Sequence, residues 1–402
     1  MLGFLLARMG VDTVVLEKHG DFLRDFRGDT IHPSTLEVMH ELGLLGEFLK
    51  RPHDEVGQAG VQIRTEMVPI ADFSHLSTRC RFIAFMPQWD FLDFLAAQGK
   101  RYPTFHLRMQ AEATELILES GRVAGVRART PDGPLEVRAG LVVGADGRHS
   151  TVRTLAGLEV QDLGAPMDVL WMRLSRHPED PKAVLGHVDA GRILVMLDRS
   201  DYWQCAFVIP KGTLDDIRRR GLPALRDDLA CLVPALRDRV QELRDWDDIK
   251  LLTVTVDRLR TWYRPGLLCL GDAAHAMSPI GGVGINLAIQ DAVAAANILG
   301  PHLLRGDLST QHLRRLQRRR EWPTRATQRL QRVLQNRVIR RVLGATGSLR
   351  LPWQLRLLRR LPRLRRIPAR LIGVGVRPEH VRTPDAFGRP GNASPPRSAA
   401  SP

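Results

Sequence analysis

The segment Leu267–Ala292, LLCLGDAAHAMSPIGGVGINLAIQDA, constrains the fold more than any other stretch of the chain. Its apolar start reads as a buried strand ending at Gly271-Asp272. A turn rich in proline and glycine follows, then the helical pattern NLAIQDAVAAANIL. A strand that runs through glycines into a helix start turns free N–H groups and the positive end of a helix dipole toward an anion. Gly281, Gly282 and Gly284 permit close backbone approach and positive φ. Asp272, at the carboxyl edge of the strand, can accept hydrogen bonds from ligand hydroxyls. The bland alternative is a strand–turn–helix joint that holds nothing, and further segments weigh against it.

LVVGADGRHSTVR, Leu141–Arg153, places Asp146-Gly147 after another buried strand and before a short helix. Asp-Gly alone is a common turn, but here the strand and Arg148 flank it. VDTVVLEKH, Val11–His19, ends a strand on Glu17, and RGDTIHPSTLEVMHELGL, Arg27–Leu44, begins with an arginine. In this order the four segments resemble the FAD-dependent monooxygenases of the para-hydroxybenzoate hydroxylase type, the single-component aromatic hydroxylases, over residues 1–330. The resemblance implies an α/β fold. A doubly wound, Rossmann-like FAD-binding domain of the glutathione reductase type would be built from 1–53, 87–156 and 261–330. A β-rich substrate domain would be inserted at 54–86 and 157–260, followed by basic helices over 331–383 and a disordered tail over 384–402.

The resemblance also implies roles. Glu17 would bind the ribose hydroxyls of the adenosine half, as an acid at a strand end does in dinucleotide folds. Arg27, with Arg24 as its rival, would pair with the pyrophosphate. Gln88 would stand beside the flavin, or else cap its helix. Met109 or Gln110 would meet adenine through the backbone. Asp146, with Gly147 and Arg148, would serve both FAD and the nicotinamide cofactor. Asp272 would bind the ribityl chain, and Pro279 would lie near the isoalloxazine. Gly284, Ile285 and Asn286 would face the flavin ring, their N–H groups stabilising negative charge on its reduced form. His275 reads as a packing or hydrogen-bonding residue. No Ser/His/Asp set, metal-ligand spacing or pair of catalytic carboxylates emerges, which suits a protein whose cofactor carries the chemistry.

The implied reaction is hydroxylation of an aromatic or similarly electron-rich small molecule by O2. FAD, reduced by NADH or NADPH, would act through its C4a-hydroperoxide. The rivals are a flavin reductase of the same fold and a cofactor-free remnant that only binds. The W-x-W-x-I-P signature of flavin halogenases is absent.

One departure is expected to matter. Relatives open with a strand and a G-x-G-x-x-G loop about 20 residues before the acid of the second strand. Here MLGFLLARMG reads instead as an amphipathic helix that ends at a C-capping Gly10, and the expectation is that the strand and loop are encoded in frame upstream. The segment lacks the basic leader, long apolar core and cleavage site of a signal peptide.

The chain has 402 residues, room for two domains. Its four cysteines show no metal or redox spacing, which points to a reducing cytoplasm, and Cys269 reads as a core residue. No run approaches 18 uninterrupted apolar residues. The net charge of +15 is concentrated: between Gln311 and Arg370 there are 19 arginines, no lysine and one acid, Glu321. RLQRVLQNRVIRRVL reads as an amphipathic helix with a cationic face. A solvated face is the plainer reading, and peripheral contact with an anionic membrane the alternative. Stacking aromatics and nucleic-acid-reading modules are missing from it, so nucleic acid is not an expected partner.

Overall fold

The computed structural model describes residues 1–23, 30–180, 186–199, 201–345, 347 and 353–388. Its organising element is the 22-residue helix Gly284–Arg305, buried along most of its length. In length and composition it would suffice to cross a membrane, yet it is a core helix here, apolar because protein covers it. On one side it meets the N-terminal helix Leu2–Arg8 and the helix Gln88–Gly99, through Leu5, Phe91, Val293 and Ala296. On the other it packs on the strand Leu267–Cys269 and on Leu313 and Leu316.

The N-terminal helix ends as its sequence predicts. Gly10 has φ +89°, and the N–H groups of Gly10 and Val11 donate to the carbonyls of Ala7 and Leu6 (2.9 and 3.0 Å). This is the double hydrogen bond of a Schellman cap. The helix leads into the strand Thr13–Leu16, which pairs in parallel with Phe105–Arg108. A second parallel pair joins Val142–Gly144 to Leu267–Cys269. Between them in sequence comes an antiparallel meander of Glu112–Glu119, Arg122–Thr130 and Gly133–Arg138.

The largest sheet has seven strands in the order Lys250–Leu252, Met167–Ser175, Tyr202–Pro210, Arg192–Asp198, Gly186–Asp189, Gln58–Ile63 and Glu66–Asp72. Two blocks distant in sequence meet in it. Their joint is a parallel pairing of His187 with Gln62, while the other neighbours are antiparallel. One face packs on the helix Leu222–Leu232 through Leu170, Met172, Leu225 and Leu229. The other bears Val169, Trp171, Val195 and Ala206 and fronts a cavity.

After the core helix, Thr310–Leu334 continues through a π-helical turn, Gln335–Ile339, into Arg340–Leu343. Shorter helices follow at Trp353–Arg360 and Arg366–Gly373. The tail expected from residue 384 begins instead with packed residues: Asp385 pairs with Arg8 at 3.4 Å, the Ala386 N–H donates to the Arg8 carbonyl (2.9 Å), and Phe387 meets Tyr102 edge-on. Residues 389–402 lie outside the described part.

Candidate flavin site

The strand Leu267–Cys269 delivers its chain into a tight turn at Gly271–Ala273, and a second turn at Ile280–Gly282 leads into the core helix. Two glycines are structurally required. At Gly271 φ is +56°, and a Cβ would lie 2.9 Å from that of Ala288. At Gly282 φ is +61°, and a Cβ would lie 2.2 Å from the Thr30 hydroxyl, which donates to the Gly282 carbonyl (3.0 Å). Any side chain would push turn and helix, or turn and strand, apart.

Buried polar groups grip these turns from behind. The Asp291 carboxylate accepts from the Gly271 N–H (3.3 Å), lies 2.6 Å from His275 Nε2, and accepts from Arg320 Nε (2.8 Å). Burial alone would raise the Asp291 pKa, but the His275 ring and the Arg320 guanidinium outweigh it and hold the carboxyl below its usual range. Arg320 in turn reaches Glu379 at 3.3 Å. His275 also packs on Trp262, with centroids 4.9 Å apart, and is buried without lining the cavity. Three glutamines of Thr310–Leu334 and the π turn complete the backing. Gln328 donates to the carbonyls of Asp257 and Ala276 (2.7 and 3.1 Å). Gln331 accepts from the Ser278 N–H (3.2 Å) and donates to the carbonyls of Ser278 and Ile280 (3.0 and 2.9 Å). Gln335 donates to the Ser278 hydroxyl (2.9 Å).

In front of the turns lies a cavity of 2940 Å³. Residues singled out from sequence line it, among them Glu17, Gln88, Asp146, Gly147, Arg148, Asp272, Pro279, Gly284 and Ile285. Asp272 Oδ1 lies 3.9 Å from where a Gly284 side chain would begin, so this carboxylate sits over the start of the core helix. Glu17 stands at the tip of its strand and accepts from the His19 N–H (2.9 Å). Gln88 is the first residue of its helix, Pro87 occupies the cap position, and no side chain caps that end. Asp146 turns its carboxylate inward, accepting from the Ser150 hydroxyl (2.5 Å) and the Val152 N–H (3.0 Å); it shapes the loop and leaves Gly147 at the surface of the cavity.

Two residues are placed elsewhere. Met109 does not line the cavity. The Asn286 side chain is buried on the far side of the helix start. Its Oδ1 accepts from the His32 N–H (2.9 Å) and the Thr35 hydroxyl (2.7 Å), and its Nδ2 donates to the carbonyls of Thr30 and Gly282 (3.1 and 3.2 Å). Arg27 and its rival Arg24 lie outside the described residues.

The sequence reading gave Arg153 no role, yet it ties three segments together. It donates to the carbonyls of Arg148 (2.5 Å) and Ala273 (3.4 Å) and lies 3.7 Å from Asp257. Its one signal was the position at the end of the Asp146 motif. Cys269 is buried, and burial, with the Asp146 carboxylate adding to it, pushes its thiol up to about 12, as befits an inert core residue. Among the described residues no cluster could hold a metal ion.

These residues fit a flavin dinucleotide. The carboxylates of Glu17 and Asp272 stand at two places on one cavity, where each can accept hydrogen bonds from ligand hydroxyls. Side-chain-free backbone fronts it at Gly147, where a Cβ would meet nothing within 4 Å, and at Gly281, where it would meet only Val283. The comparisons agree. The family model described as "FAD binding domain" matches residues 1–331. 6-Methylpretetramide 4-monooxygenase of Streptomyces rimosus is 32% identical over 372 residues, 92% of this chain and 88% of that protein. A 12-dehydrotetracycline 5-monooxygenase/anhydrotetracycline 6-monooxygenase of the same species is 27% identical over 73% of this chain, which spans 58% of that longer protein. Among solved structures, p-nitrophenol 4-monooxygenase PnpA of Pseudomonas putida superposes with a TM-score of 0.71 at 20% identity, covering 93% of this chain and 95% of that one. PqsL of Pseudomonas aeruginosa, a probable FAD-dependent monooxygenase, gives 0.71 at 22%, covering 85% and 94%; both likenesses speak for the fold. The chain belongs to the FAD binding domain family, and within it to the flavin-dependent monooxygenases.

Proposed function

We propose that the chain hydroxylates a fused-ring aromatic of the kind named for its Streptomyces relative, with NADH or NADPH as the hydride source. One observation carries the reading: the turn bearing Asp272, Pro279 and Gly284 forms one wall of a cavity that continues onto the apolar face of the seven-stranded sheet. A cofactor at the first would meet a flat apolar molecule at the second. When bound, FAD supplies the redox and oxygen chemistry. The protein's own part is to bind and to exclude water. Asp272 holds a polyol hydroxyl, the N–H groups at the start of the core helix favour negative charge beside them, and Val169, Trp171, Val195 and Ala206 keep the reacting region dry.

The test is product analysis. Protein reconstituted with FAD should oxidise NADH or NADPH in step with the gain of one oxygen atom by a polycyclic phenol. Oxidation of the nicotinamide without an oxygenated product would favour a reductase. Asp272→Ala should weaken FAD binding about 10–100-fold, from one or two lost charge-assisted hydrogen bonds, as read by quenching of flavin fluorescence. For the arginine-rich helices we keep the solvated face as the reading. Flotation with anionic but not neutral vesicles, driven by exposed Leu357 and Leu361, would replace it with membrane contact.

A further inference from the structure

We propose that the substrate is an anion as well as a flat apolar molecule, and that Arg337 and Arg341 form the subsite for its negative group. This rests on the monooxygenase reading and adds to it a substrate class and two specificity residues. The cavity wall contributed by the seven-stranded sheet and by the chain after residue 310 contains no ionisable side chain among the described residues except these two arginines. Both are exposed at its rim. Neither has a carboxylate within ion-pairing distance among the described residues, in contrast to Arg319, Arg320 and Arg325 earlier in the same helical run.

Their placement follows from helical geometry. Leu330, Val333, Leu334, Arg337, Val338 and Arg341 recur at the three- and four-residue spacing of one helix face, and all line the cavity. The face is apolar for its first turns and becomes cationic at the end. The glutamines at 328, 331 and 335 occupy the neighbouring face; Gln328 is anchored to the carbonyls of Asp257 and Ala276, and Gln331 and Gln335 to the turn at Ser278, so the stripe cannot roll away from the cavity. The π-helical turn at Gln335–Ile339 lies where apolar gives way to cationic; such turns are frequent at functional sites. Past it, the Val342 carbonyl accepts from the Gly191 N–H (3.0 Å), which pins the arginine end to a hairpin of the sheet. Leu330, Val333, Leu334 and Val338 stay 38–43% exposed, an apolar strip facing the cavity whose missing cover the ring system would supply. A phenolate, enolate or carboxylate at the ring edge would then meet two guanidinium groups, which accept such oxygens in a planar, charge-assisted contact.

The proposal is tested with two probes that share one ring system. 8-Anilinonaphthalene-1-sulfonate is anionic, and N-phenyl-1-naphthylamine is the same skeleton without the charge. Fluorescence titration of the full chain at low ionic strength should show the sulfonate binding about tenfold more tightly, the scale of two rim ion pairs. Added salt should narrow the gap. The double variant R337A/R341A should lose the preference while keeping its affinity for the neutral probe and its melting temperature. R360A/R363A, which removes equal charge outside the cavity, should retain the preference. Equal affinity of the unaltered chain for both probes would overturn the proposal, as would persistence of the preference in R337A/R341A or its equal loss in R360A/R363A. Neither probe needs flavin or turnover, so a failed hydroxylation assay would sink the catalytic reading and leave this result standing.

Discussion

Asn286 shows what one side chain contributes at this site. Its amide makes four hydrogen bonds that join the start of the core helix to Thr30, His32, Thr35 and Gly282. Asn286→Leu fills the space but leaves buried donors and acceptors without partners. It should cost about 2–4 kcal/mol by urea denaturation, and a loss within experimental error would show that the amide is dispensable. His32 gives a second prediction. Burial lowers its pKa to about 4, against the raising effect of its bond to the Ile372 carbonyl (2.7 Å between Nδ1 and the oxygen). The folded protein therefore holds this ring neutral at pH 7, with Nδ1–H donating. The unfolded chain takes up the proton below about 6.5. The stabilisation is complete above that pH, is lost as pH falls toward about 4, and amounts to about 3 kcal/mol. Melting curves across this window should flatten in His32→Gln; an unchanged slope would mean other groups dominate it.

The helix Thr310–Leu334 shows how far one element can be read from its sequence. Its arginines and spacing announce an amphipathic helix, and that is what forms. Its contact with the segment Ala276–Ile280 was not legible, because the gripping residues are Gln328, Gln331 and Gln335. A polar residue on a helix reads as solvent-facing, and nothing local reveals that buried backbone groups wait opposite. Gln331→Leu should therefore weaken FAD binding about tenfold through a loosened Ser278–Ile280 turn while the circular dichroism spectrum is retained. Flavin affinity equal to that of the unaltered chain would confine the glutamine to a structural role. The strand–turn–helix at Leu267–Ala292 was legible because strand, glycines and helix lie within one short window. The joint of Gly186–Asp189 with Gln58–Ile63 was not, since a parallel pairing across more than a hundred residues leaves no local trace. Asp385 and Phe387 read as tail in sequence because their partners, Arg8 and Tyr102, lie far away along the chain.

At the scale of the molecule, the cavity runs between two sheets as well as along them. Among the described residues the strand Thr13–Leu16 pairs only with Phe105–Arg108, and Val142–Gly144 only with Leu267–Cys269. Val14, Val15, Val142 and Val143 line the same cavity. Unpaired backbone along an apolar wall is a liability, since its N–H and C=O groups lose water without gaining partners. Both pairs are parallel and residues of both line this one cavity, so a strand added there tests the two edges together. A strand-forming segment fused ahead of the helix Leu2–Arg8, with a glycine-rich loop as its connection, should raise stability by about 3–6 kcal/mol if two or three branched side chains become buried. Backbone amides at 13–16 and 142–144 should then exchange more slowly with deuterium, and FAD should bind more tightly where the added glycine turn offers free N–H groups to a phosphate. Unchanged exchange at those two edges, with the fused segment itself unprotected, would mean that they do not accept a shared strand.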